Sequence, residues 1–251
     1  MRQLRASFIL LGFLSLTLTL MPVQFVLVNL RSRAASLLPW YYHRTLSHLL
    51  GVRIILEGPV PTTPTLLVSN HVSWLDIPIL SSVMPLSFIA KREVGGWPMF
   101  GWMAKLQRCV FVNRESRHST GKSSVEITKR LHAGDTLVLF PEGTSNDGNT
   151  VMPFKSSYFG AAENLDVPVV PITVAYLSNY NLALTKRQRP SFAWYGDMDL
   201  LPHLWESLKA GPIEVSIQFH EPLPHIPRKE MAKLAHVTIT KSLVETLHGG
   251  P

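Results

Sequence analysis

Residues 6–30 form an almost unbroken apolar run in which Gln24 and Asn29 are the clearly polar exceptions. At a rise of about 1.5 Å per residue, a helix of this length crosses a hydrocarbon layer of roughly 30 Å. The run also exceeds the about 7–15 apolar residues of a cleavable signal, which favours a retained anchor. Pro22 predicts a kink, so the run reads either as a tilted span or as the first arm of a hairpin continuing through Leu37, Leu38, Pro39, Trp40, Tyr41 and Tyr42. Arg2 and Arg5 precede it and Arg31 and Arg33 follow it, so the excess of positive charge that orients membrane segments is balanced.

After residue 50 the pattern changes to short β-rich runs at 52–57, 65–69, 87–90, 109–113, 136–140, 167–176 and 213–219. Between them lie stretches of helical periodicity. Residues 119–132 carry Val125, Ile127 and Leu131 among polar positions and stop at Gly134, and 155–165 and 227–247 have a similar mixed pattern. Strand and helix in alternation predict an α/β fold: a mixed, mostly parallel central sheet with helices on both faces, plus an N-terminal apolar membrane-anchoring helix or helical hairpin. No repeat or long linker divides the chain, so residues 1–50 read as the membrane anchor and 51–251 as one globular domain.

Composition narrows the picture. With 46% hydrophobic residues the chain can bury an ordinary core. A net charge of +7 suits a partner with acidic groups, such as anionic lipid headgroups, phosphorylated metabolites or nucleic acid. The basic charge accompanies an apolar anchor and no aromatic-basic RNA motif, which favours a membrane and speaks against nucleic acid. The single cysteine, Cys109, excludes an internal disulfide and any Cys-based zinc cluster, and in an apolar strand it reads as a packed residue.

The most unusual polar residues fall at the ends of the expected strands, where α/β sheets place their chemistry. Asn70 and His71 close the run 65–69, and Asp76 follows about one helical turn after Val72, near enough to reach the imidazole. A carboxylate bonded to one ring nitrogen fixes the tautomer and leaves the other nitrogen as a base. An isolated His and Asp at this spacing more often merely cap a turn, so context has to decide. Phe140, Pro141, Glu142, Gly143 and Thr144 end another strand with a glycine that permits a close backbone turn. Asn113 and Arg114 end a third and could present a guanidinium to a phosphate or carboxylate. Pro168 and Pro171 within 167–174 suggest an edge strand or a bent strand beside a cavity.

In this order the four clusters resemble the boxes of the bacterial 1-acylglycerol-3-phosphate acyltransferases, the glycerolipid acyltransferase family. His71 through Asp76 looks like the family's His-x4-Asp catalytic box. Residues 109–114 resemble the second box, with Asn113 where aspartate is also common, 140–144 the third, and 167–171 the fourth. Lys91 stands where the family usually has lysine, and the similarity spans roughly residues 51–225. One departure bears on the acceptor: Ser145 follows Thr144 where enzymes acting on lysophosphatidic acid usually have arginine. That residue, with Trp194, Tyr195, Gly196, Asp197, Met198 and Asp199, looks more like the branch that acylates lyso-ornithine lipid.

The resemblance implies transfer of a fatty acyl group from an acyl carrier protein or coenzyme A thioester to the free hydroxyl of a lysolipid, either lyso-ornithine lipid or 1-acylglycerol-3-phosphate. His71 would be the base and Asp76 its orienting carboxylate, while Arg114, Glu142, Gly143 and Thr144 would bind the acceptor. It implies no metal and no cofactor beyond the donor thioester. The place it implies is the bacterial inner membrane, with the catalytic domain on the cytoplasmic face. A non-catalytic lipid carrier keeping the same fold is the competing class, against which the retained His71 and Asp76 argue. Other site chemistries fit less well: Gly121, Lys122 and Ser123 echo the end of a P-loop, but Ser116 stands where its first glycine belongs. Neither a Gly-x-Ser-x-Gly elbow nor a Gly-x-Gly-x-x-Gly turn is present.

Overall fold

The computed structural model describes residues 1–112, 117–164 and 166–249. It begins with two helices, α1 (Arg2–Asn29) and α2 (Ala34–Leu50), joined by a tight turn in which Arg31 adopts a left-handed backbone with φ of 51°. The two helices pack against each other, and α1 continues through Pro22 to Asn29. Gly51, with φ of 76°, terminates α2 in the left-handed conformation that glycine supplies without a Cβ penalty.

The rest alternates as the strand and helix periodicities require. β1 (Val52–Glu57), β2 (Leu66–Ser69), α3 (Asp76–Val83), β3 (Ser87–Lys91), α4 (Phe100–Leu106), β4 (Val110–Val112), α5 (Arg117–His132) and β5 (Leu137–Leu139) come first. β6 (Val169–Asn179), β7 (Leu182–Ala183), α6 (Leu200–Ala210), β8 (Ile213–Phe219) and α7 (Arg228–His248) follow. Among the described residues these strands form one eight-stranded sheet in the order β1-β8-β6-β2-β5-β3-β4, with β7 paired to β6. Neighbours are parallel except for β6, which is antiparallel to β8 and β7. The expected mixed, mostly parallel α/β sheet is borne out.

Each face of the sheet is covered. Leu67, Phe88, Val138, Val170 and Ile172 pack under α1, α2, α3 and α6 through Ile9, Leu46, Ile79 and Leu208. On the opposite face Leu66, Val68, Leu137 and Leu139 meet α5 and α7 through Ile127, Leu131, Met231, Ala235 and Ile239. β2 is buried on both sides, which explains its continuous apolar sequence. Ala6 and Ile9 of α1 belong to the same core as the sheet, and Arg5 donates to the C-terminal carbonyls of Leu50 and Leu208. The outward side of α1 stays apolar, with Leu4, Phe8, Leu11, Leu18 and Phe25 exposed. Among the described residues α1 is the one helix long and apolar enough to cross a membrane, and such a large exposed apolar face is the mark of membrane association.

Three local expectations change. Residues 155–165 read as one helix but contain two short 3-10 turns, Ser156–Gly160 and Ala162–Asn164. A glycine inside a helix costs about 1 kcal/mol relative to alanine, and Lys155 N is drawn to Pro141 O at 3.0 Å. Secondly, the strand carrying Pro171 is not an edge: β6 lies between β2 and β8. Pro171 is tolerated there because the β8 ladder starts one residue later, at Ile172 opposite Phe219, so the missing N–H falls at the ladder's end. Thirdly, α4, α6 and β7 lie outside the segments that periodicity singled out.

Candidate active site

β2 and β5 are parallel neighbours, with Val68 beside Leu139, so the segments following them emerge side by side at one end of the sheet. This brings Asn70 and His71 next to Phe140, Pro141 and Glu142. β6 runs parallel to β2 but extends further, from the pairing of Ser69 with Ile172 up to Asn179. Asn70 bridges the difference: its side chain donates to Val174 O at 2.9 Å and accepts from Val174 N at 2.9 Å. A buried side-chain amide thus extends the backbone ladder past the end of β2 and fixes where the next residue starts.

The next residue is His71. Its Nδ1 lies 2.7 Å from Asp76 Oδ2, and its ring stacks on Phe140 at 4.0 Å with an 18° interplanar angle. Asp76 opens α3 and is fully buried, whereas the His71 side chain is 19% exposed. Oδ2 also accepts from Val72 N at 2.7 Å and Ser73 N at 3.0 Å, closing the turn 72–76 around the carboxylate. Oδ1 accepts from the Tyr176 hydroxyl at 2.7 Å. Four donors converge on one acceptor, so the proton of His71 sits on Nδ1 and Nε2 is left as the base. Burial, reinforced by the adjacent Asp76 charge, holds the Tyr176 phenol well above its ordinary pKa, so it acts as a donor.

Glu142 lies beneath this pair. It is 2% exposed; Oε1 accepts from His71 N at 2.8 Å, while Oε2 accepts from Asn146 Nδ2 at 2.6 Å and Met152 N at 2.9 Å. Burial pushes its carboxyl up to about 7, against the opposing pull of the His71 and Met152 amides and Asn146. Asn146 N returns a bond to His71 O at 3.0 Å, so the two loops are joined on both sides of the histidine.

Gly143 follows with φ of 79°, a left-handed turn in which a Cβ would come within 2.9 Å of Tyr158 Oη. That turn exposes Thr144 and aims Gly143, Thr144 and Ser145 at the cavity that His71 also lines. Arg114, the remaining expected acceptor residue, lies outside the described residues.

The cavity measures about 530 Å³. Its wall is mostly apolar: Ile9, Phe13 and Leu20 from α1, Tyr42 and Leu46 from α2, Met103 from α4 and Leu204 from α6. From Ile9 to Gln24 the lining stretch of α1 covers fifteen residue steps, about 22 Å of helix. A polar pair with a free base therefore opens into a long greasy cavity beside a membrane-type helix.

Comparison with known proteins gives the same direction. A family model described as "Acyltransferase" matches residues 52–175. The chain is 40% identical to a lyso-ornithine lipid O-acyltransferase from Brucella abortus, over 98% of this chain and 96% of that protein. The chain belongs to this acyltransferase family. A 1-acyl-sn-glycerol-3-phosphate acyltransferase from Neisseria gonorrhoeae is 33% identical over 68% of this chain and 65% of its own length. In fold the chain is similar to the crystal structure of the 1-acyl-sn-glycerophosphate acyltransferase PlsC from Thermotoga maritima. The TM-score is 0.66 at 22% identity, covering 98% of this chain and 97% of that one.

One side chain at the site, Tyr176, carries no sequence signal that singles it out, and a second, Trp194, stands out in the sequence only through the branch-like stretch 194–199, with nothing to place it beside His71. Tyr176 is a hundred residues from Asp76, in a strand that also carries Thr173, Ser178 and Asn179, so its hydroxyl does not stand out. Trp194 is drawn in by backbone: its N donates to Val72 O at 3.1 Å, and Ser145 Oγ donates to its carbonyl.

Proposed function

We propose that the protein is a membrane-bound O-acyltransferase that moves a fatty acyl group from an acyl carrier protein or coenzyme A thioester to the free hydroxyl of a lysolipid. The observation that carries this reading is the His71–Asp76 pair facing the apolar cavity at the carboxyl ends of β2 and β5. The acyl chain occupies the cavity and places its thioester carbonyl at His71. The acceptor oxygen attacks that carbonyl as His71 Nε2 takes its proton. The tetrahedral intermediate then collapses, the C–S bond breaks, and the departing thiolate recovers the proton from the imidazolium. A free thiol has a pKa near 8.5, so sulfur leaves without a separate strong acid, and the step asks for neither metal nor cofactor.

Asp76 orients the imidazole and balances its charge in the transition state. Gly143, Thr144 and Arg114 serve the acceptor headgroup by proximity and orientation. Glu142 acts from below: its oxygens meet His71 N, Asn146 and Met152 N, which makes it a positioning residue for both loops. Lyso-ornithine lipid is the favoured acceptor, supported by relatives of that name at 40% identity and by Ser145 in place of a cation. Lysophosphatidic acid is the second reading, supported by the similarity to the Neisseria enzyme. The site of action is the cytoplasmic face of the bacterial inner membrane, where soluble thioester donors meet α1. The test is purified protein in lipid or detergent with labelled acyl thioester and a panel of lysolipids. Transfer by the wild type and its loss in His71→Ala, with the helical spectrum and membrane attachment kept, is the expected result. A bound but never acylated lysolipid would mark a carrier instead.

A further inference from the structure

We propose that Trp97, Trp194 and Tyr195 form a subsite for the ammonium group of an amino-acid-bearing lysolipid, so that the enzyme reads its acceptor by a cation. The inference rests on the acyl-transfer reading above and names residues that choose the acceptor within it.

All three residues line the cavity that contains His71. The Trp97 and Trp194 rings meet edge to face, with centroids 6.1 Å apart and planes at 86°. Trp97 is 37% exposed, so this corner opens to the outside. Trp194 is fixed by its own backbone: N bonds to Val72 O, next to the catalytic histidine, and its carbonyl accepts from Ser145. Its indole N–H is already engaged by Met198 O at 2.8 Å, so what the side chain presents to a ligand is its π surface. An indole face attracts ammonium groups through its quadrupole and offers nothing to a phosphate.

The charges of the tryptophan loop itself agree with that assignment. Between Trp194 and Leu200 the chain carries Asp197 and Asp199 and no lysine or arginine, and both acids are exposed. On the opposite loop position 145 is serine, whose hydroxyl fastens the tryptophan loop to the loop bearing Gly143 and Thr144. An arginine side chain there would displace that contact and bring positive charge to the same corner. Lys91 also lines the cavity, and an amino-acid headgroup carries a carboxylate as well as an amine, which a lysine on the wall suits. A lysolipid with a free side-chain amine and a free carboxylate, the composition of an ornithine headgroup, matches both.

The experiment compares two acceptors that differ only in charge: lyso-ornithine lipid and the same molecule with its side-chain amine acetylated. The expected wild-type result is a kcat/KM about tenfold higher for the free amine. Trp194→Leu should lose most of that preference by slowing the free amine more than the acetylated acceptor, and Trp194→Phe, which keeps an aromatic face, should retain most of it. Equal use of both acceptors by the wild type, or an equal fall for both in Trp194→Leu, overturns the proposal, as does a wild type that acylates 1-acylglycerol-3-phosphate in preference to both. If the wild type acylates no lysolipid, the acyl-transfer reading fails separately. Equilibrium binding of the two labelled lipids to wild type and Trp194→Leu then still decides the subsite by the same tenfold preference.

Discussion

Replacing Tyr176 by phenylalanine removes one oxygen and leaves the ring in the core. That oxygen is the one described donor to Asp76 Oδ1, whereas Oδ2 has three: His71 Nδ1, Val72 N and Ser73 N. Asp76 and Tyr176 are fully buried, so no bulk water replaces the lost bond. A hydrogen bond to a charged group contributes about 1.5–3 kcal/mol, which sets the expected loss of stability near 2 kcal/mol. For a chain of this size that corresponds to a fall in Tm of about 4–8 °C. The imidazole keeps its bond through Oδ2, but a carboxylate held on one side can swing, and the ring swings with it. A loss of about 1.4 kcal/mol of transition-state stabilisation, about tenfold in kcat, is expected. KM should hold, because Tyr176 does not line the cavity. The assay is steady-state transfer from a labelled thioester together with a thermal melt in the same detergent. Full kcat with an unchanged melt would refute the reasoning, and a lower Tm with full kcat would reduce Tyr176 to a packing residue.

Three further outcomes are expected. The folded-state pKa of Glu142 is raised from 4.5 to about 7, so between those values the native state binds the extra proton and stability falls as pH rises, by at most about 3 kcal/mol, levelling off above 7. Denaturant melts from pH 4.5 to 8 should show this slope, and Glu142→Gln should flatten it while lowering overall stability, because the amide presents an N–H to donors that had met oxygen; an unchanged slope would count against it. Burial pushes the Cys109 thiol up to about 11, so it stays protonated, and direct transfer predicts that rapid quenching during turnover leaves no labelled acyl group on the protein. Ser145→Arg should break the contact with the Trp194 carbonyl and shift the ratio of acceptors toward 1-acylglycerol-3-phosphate; a ratio that does not move would separate acceptor choice from this corner.

The parts of the fold legible in the sequence are those written in local periodicity. β1 and β8 coincide with their expected bounds, and α7 differs by one residue at each end, because each has several consecutive positions that agree on one period. α6 is short and carries Pro202 near its start, which hides its helical period, and the segment beginning at Lys155 is anchored by a distant partner, Pro141, which local periodicity does not show. The same division runs through the site. His71 and Asp76 are five residues apart, so one turn of chain brings them together and their spacing alone is informative. Glu142 has a conspicuous place in a Phe-Pro-Glu-Gly-Thr sequence, yet its direction depends on β5 lying beside β2, which turns its carboxylate down to the His71 amide and leaves Gly143 and Thr144 to face the cavity.

Acceptor choice lies furthest from local sequence. Ser145 alone says that a cation is missing; it does not say what replaces it. The replacement depends on three separate segments meeting: the loop after β5, the residues before α6, and the turn that carries Trp97. In the proposed subsite the hydrogen bond from Ser145 to the Trp194 carbonyl holds the aromatic wall where an arginine would stand, so one small side chain bears on both the charge and the shape of that corner. Substitution at 145 should therefore act on two quantities at once, the preference for the free amine and the position of the tryptophan ring. A double variant, Ser145→Arg with Trp194→Leu, separates them. If the wall works through Ser145, the two losses of amine preference are not additive, whereas independent effects would sum in free energy within about 0.5 kcal/mol and would uncouple the serine from the cation subsite.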